Sequence, residues 1–411
     1  MGAACRPAHH PATIEIHRGR AVARGDVCRR QRDWGNGVRI KAIEPIAVSL
    51  PMKKPVLMAG ETVARADNLL VRVESEDGVV GWGEAASAPT MTGETLASMM
   101  AAVDHITPGL RGRTADDFAG VSAAMDARMY GNSGAKAAIE IALHDLVGRA
   151  TGQPVYALLG AKQRSRMAVL AVIGSEDAAA DLRDAEGRWN AGYRAFKIKV
   201  GLGSPAADAE RTRSVCKLLK SQGEDCLVSA DANQGFGVDD ALDYVRAVAD
   251  CGLDFFEQPV DAHALDAMAR VAAATRVPIG ADEGIHSRDD IERHHELNAA
   301  RGVSLKAIKL GGLRAVLGAC RLCDQLCMSV NISCKTGESS IASAAALHVA
   351  AVAPGIAWGL TVTNPGLAED VAVAPLRVEN GHVDLLERPG LGIEVDERRV
   401  RLRQQEFKRV A

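Results

Sequence analysis

From Met167 onward the chain repeats one pattern eight times: a short β-rich run, then a longer helical one. The β-rich runs are MAVLAVIG, AFKIKVG, CLVSADAN, LDFFEQPV, VPIGADEG, VSLKAIKLGG, MSVNISCKTG and IAWGLTVTN. Strands alternating with helices build a parallel sheet, because each helix carries the chain back across the sheet face. Eight such units favour closure into a (β/α)8 barrel over an open sheet. In such a barrel, chemistry gathers where the strands end at their C-terminal side.

The preceding part has a different texture. RIKAIEPIAVSLPM reads as a strand and KKPVLMAGETVARAD as a polar, flexible stretch. NLLVRVESEDGVVGWGEA reads as a hairpin turning at Asp77-Gly78. Helical patterns follow from Glu94 to Gly148. The expected organisation is an α/β fold with an α+β capping domain over 39–160, a barrel over 161–375, and a strand-rich tail, 376–411, packing back on the cap. Residues 1–38 are Arg-rich, with no apolar h-region and no regular period. They are not a secretory signal and read as a disordered extension.

Composition excludes several classes. The net charge of −3 gives no reason to expect nucleic acid or a membrane surface as partner. No apolar run reaches the length of about 18 residues that a membrane span needs. Nine cysteines are scattered without a small-domain disulfide pattern, which points to a reducing, cytoplasmic setting. Cys320, Cys323 and Cys327 lie in a helical pattern with no histidine at ligand spacing, so they read as packing residues rather than a zinc site.

Reading what each barrel strand ends with gives an ordered set: Lys197 and Lys199 on the second, Asp231 on the third, Glu257 on the fourth, Asp282 on the fifth, Lys306 on the sixth. Counted from Lys199 they recur at intervals of 32, 26, 25 and 24 residues, about one βα unit each. Each acid alone could be a helix-capping carboxylate. In register, three acids from adjacent strands converge, repel and raise one another's pKa values, and a hard divalent cation resolves that repulsion. Oxygen donors with open positions suit Mg2+, with Mn2+ as the alternative.

The lysines flank that site. A substrate carboxylate bound there would set its α-carbon between them, and the carbanion formed would be stabilised by the ion and an ammonium group. Lys197 and Lys199 alternate with the apolar Phe196 and Ile198, so both point the same way. Lys199 is expected to be the base or acid. Lys197 is expected to lower its pKa and hold the carboxylate. Lys306 is preferred over Lys309 because Gly311-Gly312 reads as the turn after the strand.

KIK (197–199), DAN (231–233), EQP (257–259), ADE (281–283), LKAIKLGG (305–312), GES (337–339) and AAIEIALHDLVGRATGQPVYALLG together resemble the muconate lactonizing enzyme subgroup of the enolase superfamily. The resemblance runs from Arg39 to nearly the end. It implies a modified barrel with a cap, Asp231, Glu257 and Asp282 as metal ligands, and Lys199 and Lys306 as the acid/base pair. It also places Glu338, at the seventh strand end, near the substrate, and implies a homo-oligomer. The mandelate racemase subgroup is less similar, because NISCKTGES lacks its histidine; His348 reads as structural.

The implied substrate is a small carboxylic acid and the reaction a racemization, epimerization or cycloisomerization. A dehydratase acting on a hydroxy acid or hydroxyproline-type substrate is the alternative. A non-catalytic barrel should have lost an acid or a lysine, and a metal hydrolase should show histidine ligands; neither is seen. GLTVTN (359–364) lacks the Asp-x-Asp that dipeptide epimerases of the subgroup carry, which argues against a dipeptide. Lys335 could take a second carboxylate, as in a muconate. Asn233, Thr361 and Thr363 are further expected substrate contacts. Cap loops 56–62 and 87–94 would supply specificity, with Met58 and Met91 as apolar contacts.

Overall fold

The computed structural model describes residues 37–58, 61–174, 177–223 and 225–410. Of the stretch expected to be an extension, residues 1–36 lie outside the described ones. Val38 is already buried, its N–H donating to Asp116 Oδ1.

The cap begins with an antiparallel meander, β1 (Ile40–Met58), β2 (Glu61–Ser75) and β3 (Val80–Ala86). The expected Asp-Gly turn joins β2 to β3, with Gly78 at φ +78°, where a glycine costs least. The stretch from Lys53 is not a loop, as its polarity suggests: β1 continues to Met58 across an irregularity between Pro51 and Val56. The cause is a partner remote in sequence. This arm leans on the segment after the last barrel strand, with Ala368 N donating to Pro51 O (2.8 Å) and Lys53 Nζ to Pro365 O (2.8 Å).

Three helices follow: α1 (Leu96–Ile106), α2 (Phe118–Arg128) and α3 (Ser133–Thr151). α3 is buried along most of its length and lies directly on β3. Gly81 and Gly83 make that possible. A Cβ on Gly83 would come within 1.9 Å of the Ala138 carbonyl oxygen.

β4 (Arg166–Ala168) pairs antiparallel with β13 (His382–Asp384) from the tail. Between them run eight parallel strands in sequence order: β5 (Leu170–Ile173), β6 (Ala195–Lys199), β7 (Leu227–Asp231), β8 (Phe255–Glu257), β9 (Ile279–Ala281), β10 (Gly302–Leu305), β11 (Ser329–Ser333) and β12 (Leu360–Thr361). A parallel bridge from Leu360 to Val169 closes the ring. All eight β-rich runs of the sequence are barrel strands.

The strand period sorts the side chains. Ala195, Lys197 and Lys199 point inward, while Phe196 and Ile198 are buried outward beneath the helices. The lower interior is apolar: Phe255 stacks on Trp358 at 4.0 Å with Leu170 and Ala195 around them. Gly280 and Gly302 leave room for that indole, since a Cβ on Gly302 would meet it at 2.4 Å. The upper interior is left to charged side chains.

Buried carboxylates join cap to barrel. Glu84 on β3, fully buried, accepts from Ser339 N (2.9 Å), Ser339 Oγ (2.7 Å) and Ala342 N (3.1 Å), at the start of helix Ser340–Val352. Asn68 donates to Glu84 and to Gly337 O. Glu140 on α3 accepts from Leu313 N (2.8 Å) and Arg314 N (3.2 Å), at the start of helix Leu313–Gln325. Two barrel helices thus have their free N–H groups satisfied by the cap. Helix Glu397–Val410 lies against β1, where Arg401 donates from Nη1 and Nη2 to the two carboxylate oxygens of Glu44.

Candidate active site

Register does most of the positioning. β6 pairs Lys199 with Asp231, and β7 pairs Asp231 with Glu257, so these three stand side by side at the top of the barrel. Lys199 Nζ donates to Asp231 Oδ2 (2.6 Å) and Asn233 Oδ1 (2.5 Å). Lys197, one layer lower, donates to Glu257 Oε2 (2.6 Å) and stands 3.8 Å from Asp231 Oδ2. Across the barrel Lys306 donates to both oxygens of Asp282, at 2.5 Å to Oδ1. Lys309 donates to Asp282 Oδ1 (2.7 Å), Asp282 O and Ser304 O.

In a closed ring of eight, β6 and β10 are four strands apart and therefore face each other. The arc between them is β7, β8 and β9, which end at Asp231, at Glu257 and just before Asp282. Lys199 and Lys306 both line a cavity of about 880 Å3 at this end of the barrel, whereas Lys309 is fully buried behind it. The Gly311-Gly312 pair, expected as the turn after the strand, instead follows a short helix, Ala307–Leu310, because the strand already ends at Leu305.

The acids do not all titrate as mutual repulsion suggests. Burial pushes Asp231 up, but Lys199 and Lys197 outweigh it and hold its carboxyl below the usual range. Asp282 is likewise held low against burial by Lys306 and Lys309. Glu257 is raised, because burial and the two aspartates exceed what Lys197 offsets. The lysines, not the other acids, decide the aspartates. Lys306 is held in its charged form, Asp282 and Glu257 overcoming its burial.

Glu283 is a cavity group that strand-end reading passed over. Asn233 Nδ2 donates to its Oε1 (3.0 Å), and burial, with Asp282 and Asp231 nearby, pushes it up to about 7. Gln258 was missed as well: its Oε1 accepts from Asp282 N (2.9 Å) and Gly284 N (3.2 Å), fixing the fifth-strand loop. The signal for Glu283 was its place directly after a strand-end acid.

The site's donor set suits a hard cation. With the side chains turned to their lysines, no three metal-ligating side chains among the described residues close on a common point. Yet Glu257 Oε1 and Glu283 Oε2 are buried with no hydrogen-bond partner. A buried carboxylate oxygen without a partner is costly, and a divalent ion shared by Asp231, Glu257 and Asp282 would satisfy it.

The other expected residues divide. Asn233, Lys335, Thr361, Thr363 and Met91 line the cavity. The Thr363 hydroxyl is committed to Lys335 O (2.9 Å) and Glu338 O (3.1 Å), so it braces the seventh-strand loop. Met58 belongs to β1, but its side chain lies outside the described residues. Glu338 departs from expectation. It does not line the large cavity; its carboxylate is buried against the cap, accepting from Lys335 N (2.9 Å) and Ala86 N (3.4 Å). Two backbone donors are what turn it there. Met91 O meets His286 Nε2 at 2.7 Å, which ties cap loop 87–94 to the barrel rim. His348 is buried in the joint with the tail and takes no part in the cavity, as expected of a structural residue.

Comparison with known proteins bears on this arrangement. The family "Mandelate racemase / muconate lactonizing enzyme, N-terminal domain" matches residues 42–160, and "Enolase C-terminal domain-like" matches residues 180–399. The chain is similar to N-succinyl-L-Arg/Lys racemase of Bacillus cereus, 32% identical over 365 residues, covering 88% of this chain and 96% of that one. It is similar to L-Ala-D/L-Glu epimerase of Clostridium acetobutylicum, 32% identical over 351 residues, covering 84% and 96%. Among solved structures, muconate lactonizing enzyme from Pseudomonas fluorescens, complexed with muconolactone, superposes with a TM-score of 0.84 at 29% identity, covering 89% of this chain and 99% of that one.

Proposed function

Because this chain belongs to the muconate lactonizing enzyme subgroup of the enolase superfamily, an isomerase lineage, we propose that it transfers the proton α to the carboxylate of a small acid, as a racemase or epimerase. The observation that carries this reading is the placement of Lys199 and Lys306 on opposed strands with three acids on the arc between. Asp231, Glu257 and Asp282 would hold a divalent ion, Mg2+ by their hard oxygen donors, and it would supply positive charge to the substrate carboxylate as the α-proton leaves.

The chain's own groups do the proton work. In one direction Lys199 takes the proton from one face and Lys306 delivers one to the other. Lys306 is held protonated by Asp282, the state a donor needs. Lys197 keeps positive charge beneath Asp231 and Glu257, 2.6 Å from Glu257 Oε2. Asn233 holds Lys199 in place from the next strand end. The substrate is a soluble small molecule, the setting cytoplasmic and the assembly homo-oligomeric on this reading.

A second reading, cycloisomerization, needs only one of the lysines. Lys335, a cation on the cavity wall, favours it by offering a contact for the second carboxylate of a muconate-like diacid. Proton exchange in D2O, read by NMR on pooled N-acyl amino acids, hydroxy acids, proline derivatives and muconates, tests the proposal. Exchange at the α-carbon should need Mg2+ and vanish in a Lys199→Ala/Lys306→Ala double variant. Loss of exchange on one face in Lys199→Ala and on the opposite face in Lys306→Ala would favour racemization, and loss confined to one of the two variants cycloisomerization. Exchange that survives EDTA or the double variant refutes the assignment.

A further inference from the structure

We propose that Cys216 and Cys251 form a redox-responsive dithiol, which a small-molecule disulfide such as oxidised glutathione converts into a disulfide on the outer wall of the barrel. Cys216 sits in helix Pro205–Gln222, and Cys251 follows helix Val238–Ala247. Their sulfurs are 3.7 Å apart, in contact without a bond. Cys216 is fully buried and Cys251 is partly exposed. That asymmetry gives one sulfur a path to an incoming reagent and keeps the other waiting behind it.

The chemistry closes without further components. The Cys251 thiolate attacks one sulfur of the oxidised reagent, forms a mixed disulfide and expels one reagent thiolate. Cys216 then loses its proton and attacks Cys251 Sγ, expelling the second. Two protein thiols are oxidised, one reagent disulfide is reduced, and the two protons end, by way of solvent, on the two reagent thiols. The surroundings suit the first step. The Cys216 hydrogen bond, an N–H from Leu253 and the nearby Arg213 bring Cys251 down to about 7 against its partial burial. Cys216 itself is pushed far up by its contact with Cys251 and by burial, so it stays protonated until Cys251 is capped; burial pushes Cys320, Cys323 and Cys334 up as well.

The position matters for the site. The bond would close a loop containing all of β7 and Asp231. Arg211, on the same helix as Cys216, donates to Lys199 O (3.3 Å), and Asp208 accepts from Gly201 N (2.8 Å). The helix that braces the end of β6 would thereby be tied to the helix after β7. In a reducing compartment such a bond is transient and reports redox state.

The test uses the full chain, equilibrated with graded ratios of oxidised to reduced glutathione, then alkylated and mapped without reduction. A peptide linking residues 216 and 251, short of two hydrogens, is expected. So is a rise in Tm of several degrees that dithiothreitol reverses. Cys251→Ser should lose both effects, and Cys216→Ser should retain a stable glutathione adduct on Cys251. If both thiols of the unaltered protein stay alkylatable at every ratio, or if Cys251 stops at the glutathione adduct, the proposal is overturned. Neither result depends on a variant folding.

Discussion

Lys306 and Lys309 both grip Asp282, yet replacing each by methionine should give opposite phenotypes. Lys309 has no exposed side-chain surface and donates to three oxygens: Asp282 Oδ1, Asp282 O and Ser304 O. Methionine is unbranched and only one atom shorter, with a large sulfur, so the volume change is small. Hydrogen bonds to a charged group are worth about 1.5–3 kcal/mol each. Removing the ammonium also removes its desolvation penalty, several kcal/mol. Lys306 still partners Asp282, so the carboxylate is not left uncompensated. The net expected loss for Lys309→Met is about 2–4 kcal/mol, a fall in Tm of roughly 5 °C or more. α-Proton exchange should persist, at a reduced rate. Lys306→Met, at the cavity wall, should cost less stability and lower exchange by about 10²-fold or more on one face of the substrate. Scanning calorimetry and face-resolved exchange on both variants check this together. A Lys309→Met protein as stable as the parent, or a Lys306→Met protein exchanging equally on both faces, would refute the reasoning.

Glu84→Gln should destabilise by about 3 kcal/mol, since a carboxamide nitrogen cannot accept from Ser339 or Ala342, and urea unfolding reads the loss. Burial, with the charge of Glu338 adding to it, pushes Glu84 up to about 8; burial pushes Glu338 up to about 7. The folded protein therefore holds protons the unfolded chain releases, and this stability, full below the ordinary glutamate range, is lost progressively as pH rises from that range to about 7 to 8. A Tm that stays flat across that interval contradicts it, and Glu84→Gln should flatten the profile. Chelation with EDTA should lower Tm and abolish exchange, with Mg2+ restoring both; an unchanged Tm would count against an ion held by Asp231, Glu257 and Asp282. Lys335→Met should raise KM for diacids several-fold and leave monoacids nearly unaffected, as paired kinetics on the two classes would show.

What could be read in advance was what repeats locally. Each barrel strand carries its own boundary signals, and one ionisable residue closes each of several successive units, so the ring and its order of charges were legible from Lys199 to Lys306. What could not be read depends on partners far along the chain. Asp231 reads as a repelling acid until Lys199 is seen bonded to it, 32 residues away. The arm at 53–58 reads as a loop because the Pro365 carbonyl that holds Lys53 is 312 residues off. Glu338 reads as a cavity group because nothing near it announces Ala86 N. Glu84 left one faint signal: it shares a strand face with Trp82, an odd place for a charge unless something buried needs it.

The joint between cap and barrel bears on how the molecule comes into being. Glu84 and Glu140 are synthesised early, while the helix ends they satisfy, at Ser339 and Leu313, appear 255 and 173 residues later. At translation rates of about 5–20 residues per second, that interval lasts roughly ten seconds or longer. Through it the cap carries two carboxylates placed for amides that do not yet exist. It cannot reach its final packing first and wait; the last third of the barrel has to arrive before the first domain is finished. A barrel expressed without its cap would carry two helix starts with nothing to accept from them, so the two parts are not interchangeable modules but one folding unit begun at one end and completed at the other.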